Sequence, residues 1–131
     1  MRSLAREAVF KYLFSRLFNP SDEGLFTVLI KDLSSESKDF ASDLLDFVIS
    51  GEEKYLSDIE RLAIGYKLNR INNADKCALM IGMSELDNYP NTPIPVIIDQ
   101  AVNIVAKYST ESSTDFVNGL LAGYAKEIRN D

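Results

Sequence analysis

With 131 residues, 46% of them hydrophobic and 26% charged, the chain is long enough for one domain with a real core and too short for two ordinary ones. Fourteen basic residues face twenty acidic ones, a net charge of −6, and histidine is absent while cysteine occurs once. Those two counts exclude a Ser-His-Asp triad, a Cys-His pair, a histidine-ligated zinc and an internal disulfide, and the single Cys77 fits a reducing compartment.

The hydrophobic period is helical almost everywhere, and no segment alternates as a strand would. Residues 2–18 read as a first helix, apolar nearly all round, with Leu4, Val9, Leu13 and Leu17 among its members. Asn19-Pro20 ends it, and Ser21 or Asp22 can cap a second helix over 22–33. Ser34 and Ser35 restart the chain ahead of a third helix over 36–50, with Phe40, Leu44, Phe47 and Val48 on one face and Gly51 as its stop. A fourth covers 53–66 and ends near Gly65; Asn72-Asn73 marks a turn before a fifth over 74–88. Tyr89-Pro90-Asn91-Thr92-Pro93 is the clearest loop. A sixth helix follows over 94–108, then candidate caps in 109–113 and a last helix over about 112–128. About seven short helices with brief connections predict an all-α chain, one domain over 1–131. Charges among the opening residues break any signal-peptide pattern, and no apolar run approaches the roughly 20 residues of a membrane span. A cytoplasmic protein with no membrane association is expected.

No catalytic signature emerges. The glycines never form a phosphate-binding loop before Lys-Ser or Lys-Thr. Asp39, Asp43 and Asp46 share a helix face and could hold a divalent ion through oxygen, although a solvated acidic face accounts for them better. Cys77 could be a thiolate activated by Lys76, but without a histidine base a small core residue is the better account. Neither an enzyme nor a cofactor is expected. Charge is uneven: residues 1–18 sum to +3, 19–60 to −8 and 61–131 to −1. The basic end is either an anion-binding edge or an ordinary solvated helix start. Phe116, opening the last helix, is either a partly exposed ring or a core anchor.

The stretch from Pro93-Ile94-Pro95-Val96-Ile97-Ile98-Asp99-Gln100-Ala101 through Ala106-Lys107-Tyr108 to Phe116-Val117-Asn118-Gly119 resembles the hallmark segment of the NusB family. Asp75-Lys76-Cys77-Ala78-Leu79 through Ser84-Glu85-Leu86 resembles the family's Asp-Arg-Ala-Ile-Leu helix. Tyr66 and Arg70-Ile71 fall where the family has an aromatic and then Arg-Leu, and Ala5-Arg6-Glu7 resembles its opening helix. The matches keep their order along the chain and are weakest over 19–60. Two small helical bundles packed together are implied. So is a transcription antitermination factor that binds boxA-like single-stranded RNA jointly with NusE, a small ribosomal protein, and joins the RNA polymerase elongation complex. The resemblance, together with the residue chemistry, puts Arg2, Arg6, Lys107, Tyr108 and Phe116 on the RNA side, and Phe14 and Asp75 toward the protein partner. Either a monomer or a homodimer is compatible with it. The chain departs from the pattern at Ser3 and Leu4, where the family often has arginines, and at Met80, Ser84 and Gln100. A thinned arginine motif on an acidic chain predicts weak RNA binding without a basic companion. It also leaves open a protein-docking module with little RNA binding of its own. The RNA reading requires that no central sheet be present and that Arg6 reach a surface groove.

Overall fold

The computed structural model describes residues 2–20, 22 and 24–129. Six α-helices carry the fold: α1 (Arg2–Arg16), α2 (Leu25–Ile30), α3 (Ser35–Leu62), α4 (Asn73–Asn88), α5 (Ile94–Tyr108) and α6 (Glu111–Ile128), with a short 3-10 turn (Leu68–Arg70) ahead of α4. No strand occurs among the described residues.

The helix starts follow local chemistry. Ser34 caps α3, its hydroxyl accepting from the Ser37 N–H at 3.1 Å. The Asn72 side chain accepts from the Ala74 N–H at 2.8 Å and caps α4. Pro95 lies in the first turn of α5, where its missing N–H is of no consequence. The cap expected at Ser21 lies outside the described residues; the one at Asp22 is not taken up, because α2 begins only at Leu25 and has no side-chain cap. That helix is also shorter than expected. None of its residues is buried, so little packing extends it.

The main correction is at Gly51. The third and fourth expected helices are one, running from Ser35 to Leu62. The apolar stripe Phe40, Leu44, Val48, Tyr55 and Ile59 stays in phase across the glycine, and that burial outweighs a poor helix former. The Tyr55 ring lies where a Gly51 side chain would be, its Cε2 only 2.6 Å from an ideal Cβ position. The glycine therefore makes room within the helix. The true break comes at Gly65, whose φ of +88° lets the chain leave α3.

Two small bundles, α1–α3 and α4–α6, pack together through α4, which touches α1, α3, α5 and α6. Twelve of the residues of α4 are buried, among them Leu79, Ile81, Met83 and Leu86, as expected of a central helix. Asp87 ties three helices: it accepts from Tyr55 of α3 at 2.8 Å and from Tyr124 of α6 at 2.9 Å. Behind α4, Arg129 donates to the carbonyls of Leu86, Tyr89 and Thr92 and secures the α4–α5 loop. No described helix is long and apolar enough to cross a membrane.

Candidate nucleic-acid interface

The first turns of α4 and α6 lie side by side. Asp75, 6% exposed, accepts from the Ser109 hydroxyl at 2.8 Å and the Ser113 hydroxyl at 2.9 Å. These bonds pin the start of α4 to the turn between α5 and α6. Thr110 takes the cap position of α6, but its hydroxyl meets Ser113 rather than the backbone. Over this pin opens a cleft of about 210 Å³, lined by Tyr66, Arg70, Asn72, Thr110, Ser112 and Phe116 among others. Residues of two helix N-termini therefore border it, an environment that favours anions.

Tyr66 and Phe116 form the cleft's aromatic wall, with ring centroids 5.6 Å apart and planes tilted by 60°. Tyr66 is 58% exposed and Phe116 is half-buried against the core, so Phe116 serves both as an anchor and as a partly open ring. The same two rings border a second recess of about 180 Å³ floored by Leu62, Ile64, Gly119 and Leu120. They stand as a ridge between a polar hollow and an apolar one. Such a ridge can stack an unpaired base.

The other expected RNA-side residues lie elsewhere. Arg2 is exposed, its guanidinium 4.5 Å from the centre of the Phe40 ring. Arg6, expected beside a surface groove, is instead 5% exposed, its Nε donating to Glu85 at 2.5 Å. Burial holds the Glu85 carboxyl above its ordinary value, against the pull of the Arg6 charge. A buried cation with a carboxylate partner is not open to a phosphate, so the condition that Arg6 reach a surface groove is not met; Arg6 is a structural residue, and RNA contact has to rest on other side chains. Lys107 and Tyr108 both turn to Glu7 of α1, at 2.9 and 2.5 Å, and the Tyr108 ring stacks on Phe10 at 5.1 Å. The Tyr108 hydroxyl, then Lys107, hold the Glu7 carboxyl below its ordinary value although partial burial opposes them. Glu85 and Asp75 are separated by about 15 Å along α4 at roughly 1.5 Å per residue. The Arg2 end and the Phe116 cleft are therefore not one pocket.

On the partner side, Phe14 is half-buried in an aromatic ladder. It lies 6.0 Å from Phe10 and 5.4 Å from Phe18, which is 71% exposed. Asp75 is buried with both oxygens accepting from serine hydroxyls, so it offers no open carboxylate to a partner. Cys77 is 2% exposed, and burial pushes its thiol up to about 12, which suits a packing residue and not a nucleophile. Asp39, Asp43 and Asp46 are exposed along α3, and among the described residues no three such groups converge on a metal-sized site.

Sequence reasoning missed Glu85, Ser109 and Ser113 as functional partners. Arg70 stood there only as a point of resemblance, and Tyr66 as that and as a tyrosine near a loop that could bury its ring and expose its hydroxyl; here the residue is instead 58% exposed. Position alone gave no signal for Glu85, a carboxylate inside an apolar helix.

An all-α scaffold whose open features are an aromatic ridge, two helix starts and an apolar ladder belongs to the class of binding proteins. Residues 1–126 match the NusB family, and the chain belongs to it. The transcription antitermination protein NusB of Carboxydothermus hydrogenoformans is 36% identical over 136 aligned positions, covering 97% of this chain and 94% of that protein. The solved structure of T. maritima NusB superposes with a TM-score of 0.90 at 30% identity, covering 97% of this chain and 92% of that one. A crystal structure of the antitermination factors NusB and NusE in complex with dsRNA superposes at 0.84, with 25% identity and 96% of both chains covered.

Proposed function

We propose that the chain is a transcription antitermination factor that holds RNA jointly with NusE and so joins the elongating RNA polymerase. It acts in the cytoplasm as one domain over 1–131, with no catalytic step of its own. The observation that carries the reading is the Tyr66–Phe116 ridge set between two helix starts in a chain of this family. Bases of a boxA-like strand stack on the ridge. Lys107, Tyr108 and Arg2 flank the strand's path. Phe14 and Phe18 offer apolar area to NusE, and Asp75 positions the cleft through its two serine hydroxyls. The net charge of −6 favours encounter with a basic partner, which supplies cations the chain lacks.

The test is a fluorescence-anisotropy titration of a boxA-like single strand and a duplex of the same length, with the chain alone and with NusE, at one salt concentration. We expect the single strand to bind weakly to the chain and about tenfold or more tightly to the pair, the difference of a few phosphate contacts. Phe116→Ala should remove about 1–3 kcal/mol of RNA affinity, the worth of one stacked base. Equal RNA affinity with and without NusE would contradict joint holding. A second reading, a protein-docking module without RNA contact, draws on the enclosure of Arg6 and the exposed Phe18. It predicts NusE binding with no RNA binding in either titration.

A further inference from the structure

We propose that the cations that take the RNA phosphates at the ridge are Lys67, Arg70 and Lys76, not Arg6, Lys11 and Arg16 of α1. This rests on the RNA-binding reading above and names the groups that would carry its electrostatics.

Among the described residues most of the basic start of the chain is neutralised within the fold. Arg6 pairs with Glu85, Lys11 with Glu7 at 3.6 Å, and Arg16 with Glu52. Lys107 pairs with Glu7 at 2.9 Å, and Lys54 and Arg61 pair with Asp58. The +3 edge expected from residues 1–18 therefore presents little free charge. Lys67, Arg70 and Lys76 form no ion pair among the described residues, yet lie within ten positions of each other. Lys67 and Arg70 are exposed on either side of the 3-10 turn. Lys76 is half-buried and its Nζ reaches the Leu68 carbonyl of that turn at 3.4 Å. Lys67, Lys76, Leu68, Asn69 and Glu60 line one broad hollow of about 580 Å³. Glu60 is its single carboxylate, and it accepts from the Leu68 N–H at 3.4 Å. Arg70 lines the neighbouring cleft beneath Tyr66 and Phe116 rather than the hollow itself, three positions along the turn from Lys67.

Lys67 and Lys76 line the hollow with the one carboxylate of Glu60, so its lining is net positive, and Arg70 adds a cation on the cleft side. The start of α4 lies beside them and favours an anion further. An exposed aromatic ridge directly beside the cations favours a nucleic-acid strand, with bases on the rings and phosphates on the cations, over an acidic protein surface.

The experiment measures RNA affinity of the full chain with NusE across a range of salt concentrations. It compares the native protein, Lys67→Gln/Arg70→Gln/Lys76→Gln, and Lys31→Gln/Lys38→Gln/Lys126→Gln, which removes the same charge elsewhere. Circular dichroism and the thermal midpoint verify folding, and the single exposed change Lys67→Gln stands in if the triple variant unfolds. We expect the first triple variant to flatten the log-affinity salt slope by about 2, at roughly 0.7 per lost single-strand contact, and Lys67→Gln by about 0.7. The control triple variant should keep the native slope. A native slope in the first triple variant, or equal flattening in the control, overturns the proposal while RNA binding by the native pair stands. No RNA binding by the native pair overturns both. Loss of NusE affinity measured without RNA, with the RNA slope kept, assigns the hollow to a protein surface and overturns it as well.

Discussion

Arg6 and Glu85 lie 79 positions apart and meet inside the protein, where each removes the other's reason to be in water. Taking both charges out of solvent is expensive, and a buried pair of this kind often adds little net stability. Removing one partner is different, because the other is left charged and alone. We expect Arg6→Met to destabilise the fold by about 3–5 kcal/mol, and Arg6→Met/Glu85→Leu to recover most of that loss. Urea unfolding of the two variants checks it, and equal stability of single and double variant would show that the pair is not the source. The same residue shows where sequence reading stops. Its position on the opening helix was legible, and so was its charge. Its partner was not, because a carboxylate set among Ile81, Met83 and Leu86 carries no local mark of the cation it meets.

At the scale of elements, α4, α5 and α6 follow the expected boundaries to within a residue, because proline, asparagine and the apolar period all act locally there. The α3 helix does not, because a glycine reads the same whether it ends a helix or yields space to a ring. Tyr55 decides the matter from inside the same helix, held by its hydroxyl bond to Asp87. At Gly65 the backbone itself makes the demand. Its φ of +88° meets nothing within 4 Å, so a side chain there would suffer from conformation and not from crowding. Gly65→Ala should therefore lower stability by about 1–2 kcal/mol, read from the denaturant midpoint. An unchanged midpoint would mean that the exit from α3 tolerates another conformation. Because Tyr66 follows directly, the same variant should also weaken RNA binding by moving one ring of the ridge.

Across the whole molecule, Glu7 joins the two bundles by collecting Tyr108, Lys107 and Lys11 on one carboxylate. Its carboxyl is held below the ordinary value of 4.5, first by the Tyr108 hydroxyl. A carboxyl lowered in the folded state adds stability above its unfolded value and loses it as pH falls through the folded one. Glu7→Gln should therefore be less stable than the native chain at pH 7, with the gap narrowing as pH falls below 4.5 through the lowered folded value. Urea midpoints across an acid pH series test this, and a gap that stays the same size throughout would refute it. The helical period, the caps of α3 and α4 and the ordered motifs of the NusB family were set by the chain's own order of residues, since each depends on neighbours a few positions away. Which cations stay free was decided only in three dimensions. Glu85 and Glu52 reach across the fold to Arg6 and Arg16 of α1, and Glu7 to Lys107 of α5, while Arg2 and, around the turn before α4, Lys67, Arg70 and Lys76 are among the cations with no ion pair among the described residues. Pairing energies depend on separation in space and on burial, and neither quantity is written in the spacing of residues along the chain.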